Sequence, residues 1–249
     1  MKPKLSIQLW SVQEECQKDF KHVLNEMKHY GYDGVEFANY YEQDASKLKE
    51  QLNELSLEVS GAHVPFENLR DHFEETVKFE KALGNHSLII PFIGAESLEE
   101  WQEKIKELAI IKDRLAKENL VLGYHNHAHE IKDIPGVNIL EEMVRLVPDI
   151  QLEVDTYWLA FAGIDVIPWL NQYKNNIKWL HIKDMTVNHD EKESTEIGKG
   201  ILPISDYLDW AIQNELEWVV VEQEAFQELT PIESSKENAK TMKKLMDER

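Results

Sequence analysis

The chain holds one cysteine, Cys16, in 249 residues. A lone thiol excludes an intramolecular disulfide framework and fits a reducing compartment. Long hydrophobic runs are missing too. None approaches the roughly 20 apolar residues that span a bilayer, and Leu5–Trp10 is shorter than the apolar region of a secretory signal. A cytoplasmic location and no membrane partner are therefore expected. Basic residues are few, 27 Lys and Arg against 47 Asp and Glu, for a formal charge of −20. Such a field repels phosphate backbones, so no nucleic-acid partner is expected. A Gly-rich turn after the first apolar run is absent as well. Trp10 leads into Ser11-Val12-Gln13-Glu14-Glu15, which removes the dinucleotide fingerprint, and no P-loop pattern occurs.

What the chain does contain is an alternation of short apolar runs with longer charge-rich segments. The runs expected to be strands are Leu5–Trp10, Gly34–Ala38, Leu57–Val64, Ser87–Ile93, Leu120–His127, Ile150–Asp155, Ile177–Asp184 and Trp218–Glu224. Between them, apolar residues recur at helical spacing, as at Phe20, Val23, Leu24 and Met27, or at Leu108, Ile111 and Leu115. Gly31 and Gly84 stand where left-handed helix caps are wanted. Eight strand–helix alternations without a linker imply parallel strands joined by helical crossovers. The expected fold is a single α/β domain over 1–249, a (β/α)8 TIM barrel with parallel strands; a doubly wound sheet is the alternative. Acidic runs such as Glu74-Glu75, Glu99-Glu100 and Asp190–Glu193 read as solvated surface.

Active sites of such barrels lie at the C-terminal ends of the strands. Polar, ligand-type residues collect there: Glu36 after strand two, His63 after strand three and His125-Asn126-His127-Ala128-His129-Glu130 after strand five. Glu153 and Asp155 end strand six, His181, Lys183 and Asp184 strand seven, and Glu222 and Glu224 strand eight. Strand alternation puts Glu153 with Asp155, His181 with Lys183, and Glu222 with Glu224 on shared faces. Buried charges need partners, and a metal suits several carboxylates and imidazoles at one point. Asp155, His181 and Glu222 can face one centre, with a fourth ligand from Glu130, His125 or His127. Carboxylate and imidazole donors suit Mn2+, Co2+, Zn2+ or Fe2+, and the lack of thiolates argues against a structural zinc. Lys183 could reach solvent, pair with Glu153 or Asp184, or touch a substrate. Trp10, Trp158 and Phe37 could wall the mouth or simply pack the core.

The set Leu122-Gly123-Tyr124-His125-Asn126-His127…Glu130, Leu152-Glu153-Val154-Asp155-Thr156-Tyr157-Trp158, His181-Ile182-Lys183-Asp184 and Ile197-Gly198-Lys199-Gly200 resembles the sugar phosphate isomerase/epimerase family. That family belongs to the xylose-isomerase-like TIM-barrel superfamily, with inosose dehydratases, ketose 3-epimerases and endonuclease-IV-type repair enzymes. The resemblance implies one divalent metal held by Glu130, Asp155, His181 and Glu222. It implies a sugar or polyol ketone as substrate, contacted by His63, His125, His127, Lys183 and Trp158. The implied reaction is isomerisation or epimerisation through loss of a proton beside a metal-bound carbonyl, with Glu130 and Glu222 as acid and base. A lyase outcome, dehydration or cleavage of a 3-keto-glycoside, is the alternative. A repair endonuclease would want more metals and a basic face, and a non-catalytic polyol-binding protein need not keep the ligand set. Lys199 stands where relatives often carry an acid, which bears on substrate contacts in that loop. Few Lys or Arg stand at the mouth, which points to an unphosphorylated substrate. Pairing of two copies through surface helices or loops is compatible with all of this.

Overall fold

The structure is a computed structural model, and it describes residues 2–189 and 191–249; Asp190, in one of the acidic runs, lies outside the described residues. Eight parallel strands close into a barrel. They are β1 (Lys4–Gln8), β2 (Gly34–Phe37), β3 (Glu58–His63), β4 (Ser87–Ile90), β5 (Val121–His125), β6 (Gln151–Asp155), β7 (Ile177–Ile182) and β10 (Trp218–Val221), hydrogen-bonded in the order β1-β10-β7-β6-β5-β4-β3-β2. The (β/α)8 barrel expected from the alternation is the fold observed. Each strand is shorter than its apolar run, because the chain leaves the ladder where the side chains turn polar or the backbone turns. Strand β1 stops at Gln8, whose side chain accepts from the Trp10 amide and starts a single 3-10 turn, Leu9–Val12. Strand β4 stops at Ile90, before Pro91, whose missing N–H cannot extend a ladder.

The crossovers are helical for the reasons read from spacing. Helix α1 (Gln13–Tyr30) buries Phe20, Val23, Leu24 and Met27 and ends on Gly31, whose φ of 97° is left-handed. Helices α2 (Ala45–Leu55), α3 (Phe66–Asp71) and α4 (Phe73–Leu83) follow, the last closed by Gly84 at φ 89°. Helix α5 (Leu98–Lys117) starts on Ser97, which accepts from the Glu100 amide, and buries Trp101, Ile105, Leu108, Ile111 and Leu115 against the barrel. Helices α6 (His129–Lys132), α7 (Ile139–Leu146), α8 (Thr156–Phe161), α9 (Val166–Gln172), α10 (Ile204–Gln213) and α11 (Pro231–Asp247) complete the ring. Among the described residues no helix is long and apolar enough to cross a membrane.

Sequence spacing did not announce the antiparallel hairpin β8 (Asp184–Asn188) and β9 (Glu191–Thr195), because half its residues are charged or exposed. Asp184 ties it down. Its Oδ2 accepts from the amides of Gly198 and Gly200, and its Oδ1 from those of Met185 and Leu202. A Cβ on Gly200 would lie 2.2 Å from that carboxylate. The Ile197–Gly200 segment is thus a clamp on Asp184, and Lys199 turns outward to Glu196, 3.3 Å away.

Inside the barrel the side chains form layers. Ile89, Trp179, Trp218 and Val220 plug the lower end, and Ser6 and Ser60 meet at 2.6 Å. Above them the inward positions turn polar: Gln8, Glu36, Glu153 and His181, then His125, Asp155 and Lys183, all nearly inaccessible. An apolar floor therefore supports a layer of charge, which is the arrangement that positions the site.

Candidate active site and metal centre

Parallel register brings the polar layer together. Gln8 pairs with Glu36, His125 with Glu153, and Asp155 with His181, each across adjacent strands. His181 is the hub. Its Nδ1 lies 3.1 Å from Glu222 Oε2, while its Nε2 lies 2.7 Å from Glu36 Oε2 and 3.1 Å from Glu153 Oε2. His63 Nε2 sits 2.8 Å from that same Glu153 oxygen, and the Gln8 amide donates to Glu36 at 2.7 Å. Both ring nitrogens are thus held by carboxylates, Nδ1 by Glu222, which lines the mouth, and Nε2 by Glu36 and Glu153; a carboxylate on the far nitrogen is the pattern that orients a metal-binding imidazole.

Lys183 is wholly buried. It does not reach solvent and does not pair with Glu153 or Asp184. Its ammonium lies 3.2 Å from Asp155, 3.0 Å from Glu222 and 3.1 Å from Glu224, as ionic contacts rather than well-aligned hydrogen bonds. A buried ammonium is tolerable only when paired, and adjacent carboxylates from two strands supply the charge. Five carboxylates, Glu36, Glu153, Asp155, Glu222 and Glu224, surround this one lysine and two linked imidazoles. Negative charge is in excess, which favours a further cation.

The titration behaviour follows from this crowding. Burial opposes ionisation of Asp155 most strongly, but Lys183, His125 and His181 together outweigh it and hold the carboxyl down at about 2. Burial likewise opposes ionisation of Glu153, and His181 and His63 bring it down to about 2. Glu222 falls well below the usual range against its burial, through Lys183 and His181. His125 is lowered to about 4 by burial and by His181, and His127 to about 3 by burial and by His125. Burial works against a charge on His63 too, yet Glu36 and Glu153 lift it to about 9. The folded chain therefore holds a proton on His63 that the unfolded chain releases near 6.5. That stabilisation is complete below about 6.5 and disappears as pH rises through about 9. Thermal denaturation from pH 6 to pH 10 should show wild type losing more stability than His63→Gln over that window; parallel curves would refute the assignment.

Among the described residues, three groups of side chains are close enough to hold an ion: His125, Asp155, His181 and Glu222; Glu36, His63, Glu153 and His181; and His127, His129 and Glu130. In the first, His181 and Glu222 bond to each other, and the atoms without a hydrogen-bond partner belong to His125 and Asp155. Both ring nitrogens of buried His125 lack a hydrogen-bond partner, as does Asp155 Oδ2, which has the ionic contact with Lys183 instead. Asp155 Oδ1 is already used, capping α8 by accepting from the Tyr157 and Trp158 amides, so its other oxygen points inward. His125 Nε2 stands 3.6 Å from that oxygen. In the second group His63 and His181 engage Glu153 Oε2 and Glu36 Oε2, while Glu153 Oε1 and Glu36 Oε1 have no hydrogen-bond partner.

Glu130, expected as the strand-five ligand and as half of the acid–base pair, is not brought to this centre. Its Oε1 accepts from the Tyr124 hydroxyl at 2.7 Å and its Oε2 from the His127 amide at 2.9 Å, pinning the turn after β5. The chain curls into α6 after His125, which carries Glu130 sideways. His125, one of the alternatives, stands instead with Asp155, His181 and Glu222 in the group close enough to hold an ion. Glu130→Gln should leave metal content unchanged and cost about 1–3 kcal/mol, because one buried partner loses its acceptor; loss of bound metal would restore Glu130 as a ligand.

A cavity of about 320 Å3 opens above the cluster, walled by Trp10, Phe92, His127, Glu222 and Glu224. Trp10 and Phe92 are 48% and 55% exposed, so apolar surface faces whatever enters. Phe37 is no part of the wall: it is fully buried and packs on Phe20 and Tyr40, since its neighbour Glu36 takes the inward position. Trp158 stands behind His127, ring centres 5.6 Å apart, and within 5.3 Å of the Lys183 ammonium. His129 reaches away from the cluster to the Ile93 carbonyl. The sequence missed Glu36 and Glu153 as the clamp on His181, although the Glu153/Asp155 alternation was the signal for one of them.

This geometry can be set beside known proteins. The family model described as xylose isomerase-like TIM barrel matches residues 24–245. The chain belongs to that family. A curated relative, inosose dehydratase of Geobacillus thermodenitrificans (strain NG80-2), is 26% identical over 251 residues, covering 82% of each chain. Other inosose dehydratases match over 65–71% of their own length. Among solved structures, a sugar phosphate isomerase/epimerase from Parabacteroides distasonis ATCC 8503 superposes with a TM-score of 0.84 at 21% identity, covering 97% of this chain and 98% of that one. IOLI protein, solved with a bound zinc atom, gives 0.79 at 17% identity over 98% of each chain. These likenesses agree with the barrel. The curated relatives are enzymes by name, inosose dehydratases.

Proposed function

We propose that this xylose isomerase-like barrel is a divalent-metal-dependent isomerase or epimerase of a sugar or polyol ketone. One observation carries the reading: four buried donors from adjacent strands, His125, Asp155, His181 and Glu222, converge beneath an open cavity with donor atoms left unpartnered. Imidazole and carboxylate donors of this kind fit Zn2+, Mn2+, Co2+ or Fe2+, and a zinc atom in the IOLI protein, of like fold, supports a metal here. A bound dication would act as a Lewis acid, making the C–H beside a carbonyl more acidic.

The protein's own residues supply the rest. Glu222 lines the cavity while its Oε2 is engaged by His181 and Lys183, and it is the proposed base. His127, at the same mouth with an unpartnered Nδ1, replaces Glu130 as the second proton-handling group. Lys183 balances charge beneath the substrate oxygens, and His63, locked to Glu153, closes one side. Trp10 and Phe92 offer ring surfaces to the apolar face of a polyol.

Dehydration is the second reading, favoured by the relatives named inosose dehydratase. Both readings share removal of the proton next to the ketone and differ in whether it returns or a β-hydroxyl departs. Metal-loaded enzyme in D2O with fructose, ribulose and a myo-inositol-derived ketone tests them together. Deuterium at the α-carbon of an isomeric product supports the isomerase or epimerase, and a product lighter by one water supports the dehydratase. No exchange in any of them would overturn the shared step.

A further inference from the structure

Strand β10 lies between β1 and β7, and both neighbours leave the sheet within a residue of where it ends. Val221 pairs with Ile7 and Ile182; beyond them β1 winds into the 3-10 turn and β7 gives way to the hairpin. The next residues include Glu222 and Glu224, two of the carboxylates that face Lys183. The Glu222 amide still reaches the Ile182 carbonyl, at 3.3 Å. The amides of Gln223, Glu224 and Ala225 have no ladder left, and a buried N–H without an acceptor is costly. Two serine hydroxyls from distant parts of the chain accept all three. Ser11 Oγ takes the Gln223 amide at 3.0 Å, and Ser194 Oγ takes those of Glu224 and Ala225 at 2.9 and 2.8 Å. Both serines are buried.

Ser194 belongs to β9, so the hairpin that Asp184 ties down is what delivers this acceptor. Helix α11 braces the same segment. Asn238 donates to Gln223 Oε1 at 2.9 Å and accepts from the Ile197 amide at 2.8 Å, while Gln223 donates to the Ala225 carbonyl at 2.9 Å. None of the described residues lining the cavity over the cluster comes from the hairpin, so its part is played from behind. We infer that Ser194 is a positioning residue for Glu222: its hydroxyl stands in for the missing ladder and keeps residues 222–225 extended, with Glu222 and Glu224 on one face at the mouth. This rests on the reading of Glu222 as the base. Without the hydroxyl two adjacent amides lose their acceptor, the segment turns toward water, and both carboxylates move. A displacement of about 1 Å at a reacting group costs up to about 10²-fold in rate.

The test pairs two readouts on the full chain. Backbone hydrogen exchange by mass spectrometry, with and without metal, should be about tenfold or more faster over residues 222–226 in Ser194→Ala than in wild type. With metal, α-proton exchange of fructose, ribulose or the myo-inositol-derived ketone, whichever wild type exchanges, should fall about 10- to 100-fold at saturating substrate. KM should stay within about twofold, since only the alignment of the base is lost. Ser194→Thr, which keeps the hydroxyl, should restore both. If Ser194→Ala does not fold, Ser11→Ala loosens the neighbouring amide from the other side and should give the same pair of changes. Unchanged backbone exchange, unchanged turnover in a loosened segment, or a loss that falls wholly on KM would overturn the inference and leave the proposed function standing. Wild type that exchanges no α-proton in any of these ketones would overturn the proposed function instead, and the backbone measurement would still decide whether Ser194 holds the segment.

Discussion

Lys183→Met should lower the stability of the metal-free protein by about 3–5 kcal/mol, the usual cost of stranding buried charges by removing their partner. For a chain of this size that is a fall in Tm of roughly 6–20 °C. The reason is local. Asp155, Glu222 and Glu224 approach the same ammonium at 3.0–3.2 Å, the first two almost without access to water and Glu224 31% exposed, and methionine keeps the volume while deleting the charge. If the carboxylates are also the seat of a metal, added Mn2+ or Zn2+ should restore more stability to this variant than to wild type, since a dication replaces the missing charge. Lys199→Met, an exposed control, should change stability by no more than about 0.5 kcal/mol. Thermal melts with chelator and with metal give both comparisons. A metal-free Lys183→Met protein as stable as wild type would show that the lysine does not carry the charge balance of the cluster.

Glu222→Gln is the second large effect. The amide keeps an oxygen for the metal and for the His181 contact but cannot accept a proton. At saturating metal, α-proton exchange with D2O should fall by roughly 10²–10⁴-fold, the range for loss of a general base. Glu130→Gln should lose less than about tenfold, because its oxygens serve Tyr124 and the His127 amide. NMR of the exchanging C–H measures both. The reverse ranking would return the base to the strand-five turn.

The contrast between those two glutamates shows where sequence reasoning succeeds and where it stops. Strand alternation is a rigid rule, so Asp155, His181 and Glu222, lying on strands or one residue beyond, could be aimed from the sequence alone. The barrel itself was legible for the same reason, since period two and period 3.6 take turns along the chain. Glu130 lies five residues past the end of β5, where the backbone has already entered α6. No periodicity constrains such a turn, and the hydroxyl of Tyr124 that captures Glu130 is visible only in three dimensions. Glu36 is legible as a ligand-type residue after strand two, but its 2.7 Å approach to His181 joins residues 145 positions apart. The hairpin of β8 and β9 was missed because Lys192, Glu193 and their neighbours carry no apolar alternation.

The metal centre is the claim on which the rest depends, and elemental analysis of protein purified without chelator tests it most directly. Wild type should carry about one equivalent of Zn, Mn, Co or Fe per chain. Asp155→Ala/His181→Ala should carry almost none, and His125→Ala should lose metal affinity beyond the roughly 10–100-fold typical of residues that merely orient a ligand. Wild-type protein that holds no metal and takes up neither added Mn2+ nor Zn2+ would contradict the account. Metal that stays bound in the double variant would place the ion somewhere else.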